Sequence, residues 1–205
     1  MNALEFLHLQ LELECKRVTA EGVMAPLSCD DPDEIPRLFV ARHAQGWTVY
    51  FRHDVEPSVQ RQLCARPPEQ LWAEPEIVYM ILPPEKANGG TSWRGRTYHF
   101  ATAPSLSLAA DVVEHDGTFV ILEDGQPVAR AWSSRMNERA AELALETLPR
   151  YRRRGYAYQV AVAWAAQQLK QQKVAFYSHL AQNDASQALA AKLEVTHLFD
   201  AVGYE

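Results

Sequence analysis

The chain contains no run of about 20 apolar residues, the length a membrane-crossing helix needs. Its start, "MNALEFLHLQLELECK", sets acids inside the apolar stretch and lacks the basic-then-apolar order of a leader, so a cytoplasmic protein with no membrane partner is expected. Cysteine is scarce: Cys15, Cys29 and Cys64 are odd in number and form no C-x-x-C, which points to reduced thiols rather than a disulfide framework. The seven histidines never fall at H-x-x-x-H or H-x-H spacing, so no metal is expected. An excess of positive charge is also missing. The formal net charge is −6, which argues against a general polynucleotide binder, so no nucleic-acid partner is expected and any basic site must be local. Neither G-x-x-x-x-G-K-[ST] nor the three-glycine dinucleotide fingerprint occurs.

What is present is a 205-residue chain with 47% hydrophobic residues, enough for a sizeable core in one large domain or two small ones. The first half carries weak periodicity. It reads as a helix over 2–18, an acidic turn at 29–36 leading into a second helix at about 33–44, a strand at 47–52 and a short helix at 57–65. Residues 76–82 fit either a strand or a buried helical turn. Residues 83–95 collect prolines, glycines and polar residues, a loop or subdomain boundary, with a strand expected over 96–101.

From residue 117 the pattern sharpens. "GTFVILED" and "PVARAWSS" are two strands joined through Asp124-Gly125, a dipeptide that accepts the positive φ angles of a tight hairpin. "AAELALETL" alternates, with Leu143, Leu145 and Thr147 on one face and Glu142, Ala144 and Glu146 on a polar face. Pro149 ends that strand. Arg150, Arg152, Arg153 and Arg154 follow, and Gly155 opens a helix whose stripe is Ala157, Val160, Ala161, Trp164, Ala165 and Leu169. "KVAFYSH" (173–179) is another strand, after which Asn183 caps a final helix. Strand, helix, strand implies a crossover, so the strands flanking the arginine turn are expected to be parallel neighbours.

A helix N-terminus leaves backbone N–H groups unpaired and carries about half a positive charge, so it attracts anions. Gly155 and Ala157 allow close approach, and the guanidinium forks suit phosphate oxygens. The run Arg152-Arg153-Arg154-Gly155-Tyr156-Ala157, R-x-x-G-x-A, between a strand and a helix, together with the strand order and the N-x-x-S helix start, resembles the GNAT superfamily of acetyl-CoA-dependent N-acetyltransferases over residues 117–197.

That resemblance implies an α/β (α+β) fold: a mixed, mostly antiparallel sheet flanked by helices, parallel strands around the coenzyme A loop, and here an N-terminal, mainly helical extension. It implies a core over 96–205, with residues 1–95 packed on it and contributing to the acceptor site. It implies acetyl-CoA as donor cosubstrate, its pantetheine arm beside Leu145, Glu146 and Thr147, its pyrophosphate on the loop Arg152, Arg153, Arg154, Gly155, Tyr156, Ala157 and Tyr158, and Asn183 on the arm. Asn183 serves equally as a helix cap, and Leu145 and Thr147 equally as sheet core.

Amines with pKa about 10.4 must lose a proton before attacking a thioester, which calls for a base, directly or through water. Glu142 and Glu146 are the candidates, about 13 Å apart along the strand. Glu142 is preferred because its place resembles the family's acidic position; an exposed strand glutamate is the plain alternative. A backbone N–H would meet the oxyanion where the parallel strands splay. Many family members carry a tyrosine acid seven residues after the asparagine, where this chain has Ala190; Tyr177 or His179 on the adjacent strand could replace it. Glu194 stands where a glycine usually closes the helix, and the residues that follow are too few for the usual final pair of strands. The acceptor would be a small-molecule or peptide amine, with Trp47, Trp72 and Trp93 of the extension as the place to look for its surface. Association as a homodimer stays open. The competing readings are a coenzyme A-binding module with little chemistry and a nucleic-acid contact through the arginines.

Overall fold

A computed structural model describes residues 1–19, 22–26, 35–84, 92–102 and 112–205. In chain order these form α1 (Ala3–Leu11), β1 (Cys15–Val18), β2 (Val23–Pro26), β3 (Leu38–His43), β4 (Gly46–Arg52), α2 (Pro57–Cys64), α3 (Pro68–Ala73), α4 (Pro75–Ile81), β5 (Ser92–His99), β6 (Val112–His115), β7 (Thr118–Glu123), β8 (Gln126–Met136), β9 (Ala140–Thr147), α5 (Tyr156–Lys170), β10 (Val174–Leu180), α6 (Asp184–Leu193) and β11 (Thr196–Tyr204). They divide into two compact units, Met1–Arg96 with Leu198–Glu205, and Thr97–His197.

In the first unit, α1 begins at a capping box: the Asn2 side chain accepts from Glu5 N while the Glu5 carboxylate accepts from Asn2 N. The helix ends at Leu11 instead of reaching residue 18, because burial then alternates, with Leu11, Leu13 and Cys15 inside, and the chain becomes β1. The helix expected over 33–44 is likewise replaced over its described part by β3. This strand pairs antiparallel with β4 on one side and β11 on the other, so four of its six residues are buried and no two-residue alternation is left for the sequence to display. Strand order in this unit is β1-β2-β4-β3-β11. Residues 76–82 resolve as helix α4, and the helix at 57–65 is observed as α2. α3 had no counterpart in the sequence reading. Most of the acidic turn at 29–36 and of the loop at 83–95 lies outside the described residues; residues 92–95 belong to β5. The helices cover a core of Leu38, Val40, Phe51, Leu63, Leu71, Val78, Val202 and Tyr204. At its edge Arg52, almost fully buried, places Nε 2.8 Å from Asp54 Oδ1 and Nη2 2.9 Å from Oδ2, a forked pair.

In the second unit the strand order is β5-β10-β9-β8-β7-β6. Two Asp-Gly turns build its meander. Asp124 (φ 51°) and Gly125 (φ 74°) join β7 to β8 as expected, and Asp116 (φ 48°) and Gly117 (φ 75°) join β6 to β7 in the same left-handed pair of conformations. β9 pairs antiparallel with β8 and parallel with β10, as the crossover requires. The parallel ladder is short: it runs Val174↔Ala140, Ala175↔Ala141 and Phe176↔Glu142. Helix α5 lies across β7, β8 and β9, and α6 across α5 and β10. Trp164 of α5 is fully buried and donates from Nε1 to Ser133 Oγ at 3.0 Å, so the largest side chain of the core is also a hydrogen-bonded one.

Candidate functional site

The turn between β9 and α5 is built from positions that resist ordinary backbone geometry. Pro149–Tyr151 form one 3-10 turn after β9, Arg153 has φ 64°, and Gly155 has φ 85° as the residue before the first helical turn. Left-handed conformations alternating with ordinary ones point successive N–H groups to one side, an anion-binding concavity. No side chain caps α5, so its first amides add their partial charge to the same spot. A Cβ at Gly155 would meet only Gln159 Nε2, at 4.0 Å, so space stands open over the glycine. Its requirement is conformational, because L side chains disfavour that φ by about 1–2 kcal/mol.

Over this turn opens a cleft of about 1260 Å3 between the end of β9, the start of α5 and one face of α6. Leu145, Glu146 and Thr147 line it from β9, Arg152, Arg153, Gly155, Tyr156, Ala157 and Tyr158 from the loop and helix start, and Asn183 from α6. Of the residues assigned to the donor, Arg154 alone lies outside this lining. Its Nη1 stands 3.7 Å from Glu123 Oε1 at the end of β7, and its guanidinium covers the Tyr151 ring at 5.0 Å. Glu123 also accepts a hydrogen bond from the Tyr156 hydroxyl, which raises that phenol above its ordinary range.

Two lining groups bear on what the cleft can hold. Thr147 Oγ1 is buried without a hydrogen-bond partner, and Arg152 Nε donates to Thr147 O at 3.2 Å, which ties the arginine run back to the strand. Asn183 accepts from Ser186 N at 3.0 Å through Oδ1, so it is the helix cap and a cleft residue at once.

The two side chains assigned to proton transfer sit elsewhere. Glu142 belongs to no exposed polar face: it is 5% exposed, and Arg135 Nη1 donates to its Oε2 at 3.2 Å from β8, across a bulge between Ser133 and Arg135. The alternation of β9 failed to foretell this because β8 and β10 cover the start of the strand on both edges and helix α5 covers one face. Tyr177 is buried, donates to Ser186 O at 3.4 Å and has its phenol raised by burial. Neither lines the cleft. Ala190 faces the core, whereas Glu194 adopts φ 52°, so the backbone keeps the left-handed helix stop although its usual glycine is replaced.

Sequence reasoning missed Tyr151, Gln159 and a stripe of α6, Ala185, Ala188, Leu189 and Lys192, all on the cleft. The stripe follows three- and four-residue spacing from Ala185, a signal present in the sequence but hidden by the helix's small residues. Trp93, offered as acceptor surface, packs where a Cβ on Gly203 would collide with it and beside Phe39 at 6.0 Å. Trp47 and Trp72 meet edge to face at 5.5 Å, with Arg42 and Arg94 over the Trp72 ring. Among the described residues no group of three His, Cys, Asp or Glu side chains could hold a metal ion, and no helix is long and apolar enough to cross a membrane.

A family model described as GNAT acetyltransferase matches residues 113–198. A conserved protein from Staphylococcus epidermidis, described as functionally unknown, shares the fold with a TM-score of 0.51 at 8% identity, over 94% of this chain and 94% of that one. A putative acetyltransferase from the GNAT family of Novosphingobium aromaticivorans aligns with a TM-score of 0.48 at 17% identity, over 59% of this chain and 70% of that one. A GCN5-related N-acetyltransferase-like protein from Streptococcus suis aligns with a TM-score of 0.47 at 15% identity, over 83% and 84%. No curated protein matches the chain.

Proposed function

We propose that this chain, whose residues 113–198 match the family model described as GNAT acetyltransferase, is an N-acetyltransferase that moves an acetyl group from acetyl-CoA to a primary amine by direct transfer in a ternary complex. The observation that carries the reading is the cleft: one continuous surface joins an uncapped helix start and two arginines, suited to a diphosphate, to a strand end and an α6 face suited to an extended arm. Thr147 Oγ1, buried and unsatisfied along that path, fits a polar group of such an arm.

Bound there, acetyl-CoA supplies a thioester-activated acetyl group. The residues of the chain bind and orient it. Amides of the Arg153–Tyr158 turn and the guanidiniums of Arg152 and Arg153 hold the diphosphate. Leu145, Glu146 and Thr147 border the arm where β10 has left β9, and Asn183 with Ser186 borders it from the other side. Glu142 fixes the bulge of β8 against the start of β9, and Tyr177 fixes β10 against α6, so both act by holding the walls in place. The acceptor is a small-molecule or peptide amine.

Release of free thiol from acetyl-CoA, followed across a panel of primary amines, tests the reading. Turnover with any amine supports it. Thermal stabilisation by coenzyme A without turnover replaces it with a binding module, and the absence of both stabilisation and turnover overturns it.

A further inference from the structure

Helix α6 borders the cleft from end to end. Asn183 and Asp184 at its start, and Lys192 and Glu194 at its finish, all belong to the lining, and the 10 residues of the helix span about 15 Å. The middle of this wall is low. Ala185 and Ala188 are exposed and present only methyl groups, so a ligand can lie close against the helix.

Charge along the cleft is answered everywhere but at one place. Glu146, across from α6 on β9, pairs with Arg130, whose Nη2 stands 2.7 Å from Oε2. Asp184 sits in the first turn of α6, where the helix dipole favours a carboxylate. The far end is different. A helix C-terminus carries about half a negative charge, and Glu194 adds a carboxylate there, so this end repels an anion unless a cation stands beside it. Lys192 is the single basic residue of α6. It is exposed, lines the cleft and, among the described residues, has no ion-pair or hydrogen-bond partner.

The order of groups along the cleft gives that cation a use. The arm borders Leu145 to Thr147 and the start of α6, and the diphosphate lies on the turn between β9 and α5. In coenzyme A the diphosphate continues into a ribose that carries a second phosphate, a monoester, on its 3′ carbon, one sugar ring from the diphosphate. With the start of α6 given to the arm, the finish of α6 is the wall left for the nucleotide end. We infer that Lys192 receives the 3′-phosphate and makes the cleft selective for coenzyme A over 3′-dephospho-coenzyme A. The inference rests on the acetyltransferase reading, through its donor. A dianionic monoester and an ammonium form a charge-assisted hydrogen bond, and Glu194 opposes any anion at this end that Lys192 does not hold.

Calorimetric titration of the full chain with coenzyme A and with 3′-dephospho-coenzyme A tests this. The parent is expected to bind coenzyme A about 10-fold more tightly than the dephospho form. In Lys192→Gln the two should bind within about twofold of each other, with the affinity for the dephospho form unchanged, and Lys192→Arg should keep the preference. A lysine that only offsets the helix dipole would, on removal, lower the Tm of the unliganded chain and leave the preference as it was, so the ratio of affinities is the readout. A second measurement reads the phosphate itself. By 31P titration the second pKa of the bound 3′-phosphate, ordinarily about 6, should fall in the parent complex, because the ammonium favours the dianion, and return in Lys192→Gln. A parent that binds both ligands alike, a Lys192→Gln variant that keeps the parent's preference, or a phosphate pKa equal in the two complexes overturns the inference and leaves the reading of the donor standing. A parent that binds neither ligand overturns both.

Discussion

Glu123, at the end of the hairpin strand β7, accepts the Tyr156 hydroxyl and pairs with Arg154, so a residue more than thirty positions upstream fixes both flanks of Gly155. The carboxylate beside it raises the Tyr156 phenol. In a spectrophotometric titration, the difference between the parent and Tyr156→Phe should therefore show one phenol ionising above the ordinary tyrosine range. In a Glu123→Gln background the same difference should move down, because a neutral amide no longer opposes the phenolate. An unchanged difference would mean that Glu123 does not hold the ring.

Gly155→Glu should abolish stabilisation by coenzyme A. At ligand concentrations about 100 times Kd the parent should gain about 2.7 kcal/mol, or about 5–10 °C in Tm for a chain of this size. The glutamate puts bulk and negative charge over the open side of the turn and a side chain into a left-handed conformation, so some intrinsic stability is lost as well, about 1–2 kcal/mol. Differential scanning with and without coenzyme A separates the two effects; a ligand shift equal to the parent's would show that the diphosphate binds elsewhere.

Arg153 and Glu194 both hold non-glycine residues at positive φ, 64° and 52°. Glycine at either position should relieve strain and raise stability by up to about 1 kcal/mol. Their effects on binding should differ. Glu194→Gly should leave or slightly improve coenzyme A affinity by removing a negative charge from the cleft. Arg153→Gly should weaken it about 5–20-fold through loss of a charge-assisted donor. Calorimetric titration alongside chemical denaturation distinguishes them.

Asp54 has its carboxyl held below the ordinary 3.8 chiefly by its hydrogen bond to Arg52. A lowered folded pKa means that the unfolded chain binds the proton more tightly, so this contribution is complete above about pH 4 and fades as pH falls through the folded value. Asp54→Asn should cost about 1–2 kcal/mol at pH 7, since Arg52 is almost fully buried. It should also remove that part of the acid dependence below pH 4. Urea melts at pH 3 and pH 7 provide the measurement: the gap between parent and variant should narrow on acidification.

The sequence was most legible where local chemistry decides structure. Asp124-Gly125, Pro149 and Gly155 each force a backbone event, and the elements around them form where the pattern places them. Asp116-Gly117 carries the same hairpin signal, yet the four residues of β6 before it are too few to alternate visibly. β3 was misread because it is flanked by strands on both sides and mostly buried, so packing erased its period. Glu142 shows the limit at the site. Its residue type and spacing suggest an exposed carboxylate, and only the guanidinium of Arg135, brought in by a bulge on another strand, makes it a buried ion pair. The cleft's loop was readable because glycine and arginine announce it, whereas the α6 wall, made of alanines, does not.

The three residue pairs that join β9 to β10 give the second unit a seam. On one side lie β6 to β9, bonded strand to strand along their lengths; on the other lie β10 and β5. Beyond Phe176 and Glu142 the facing amides lack ladder partners across this line, so in hydrogen exchange they should open locally, far below the free energy of global unfolding. A ligand that fills the gap occupies the place of a missing strand. Its arrival is then felt as slowed exchange on both banks at once, and the tightness with which this unit behaves as one cooperative body becomes a property of the bound state.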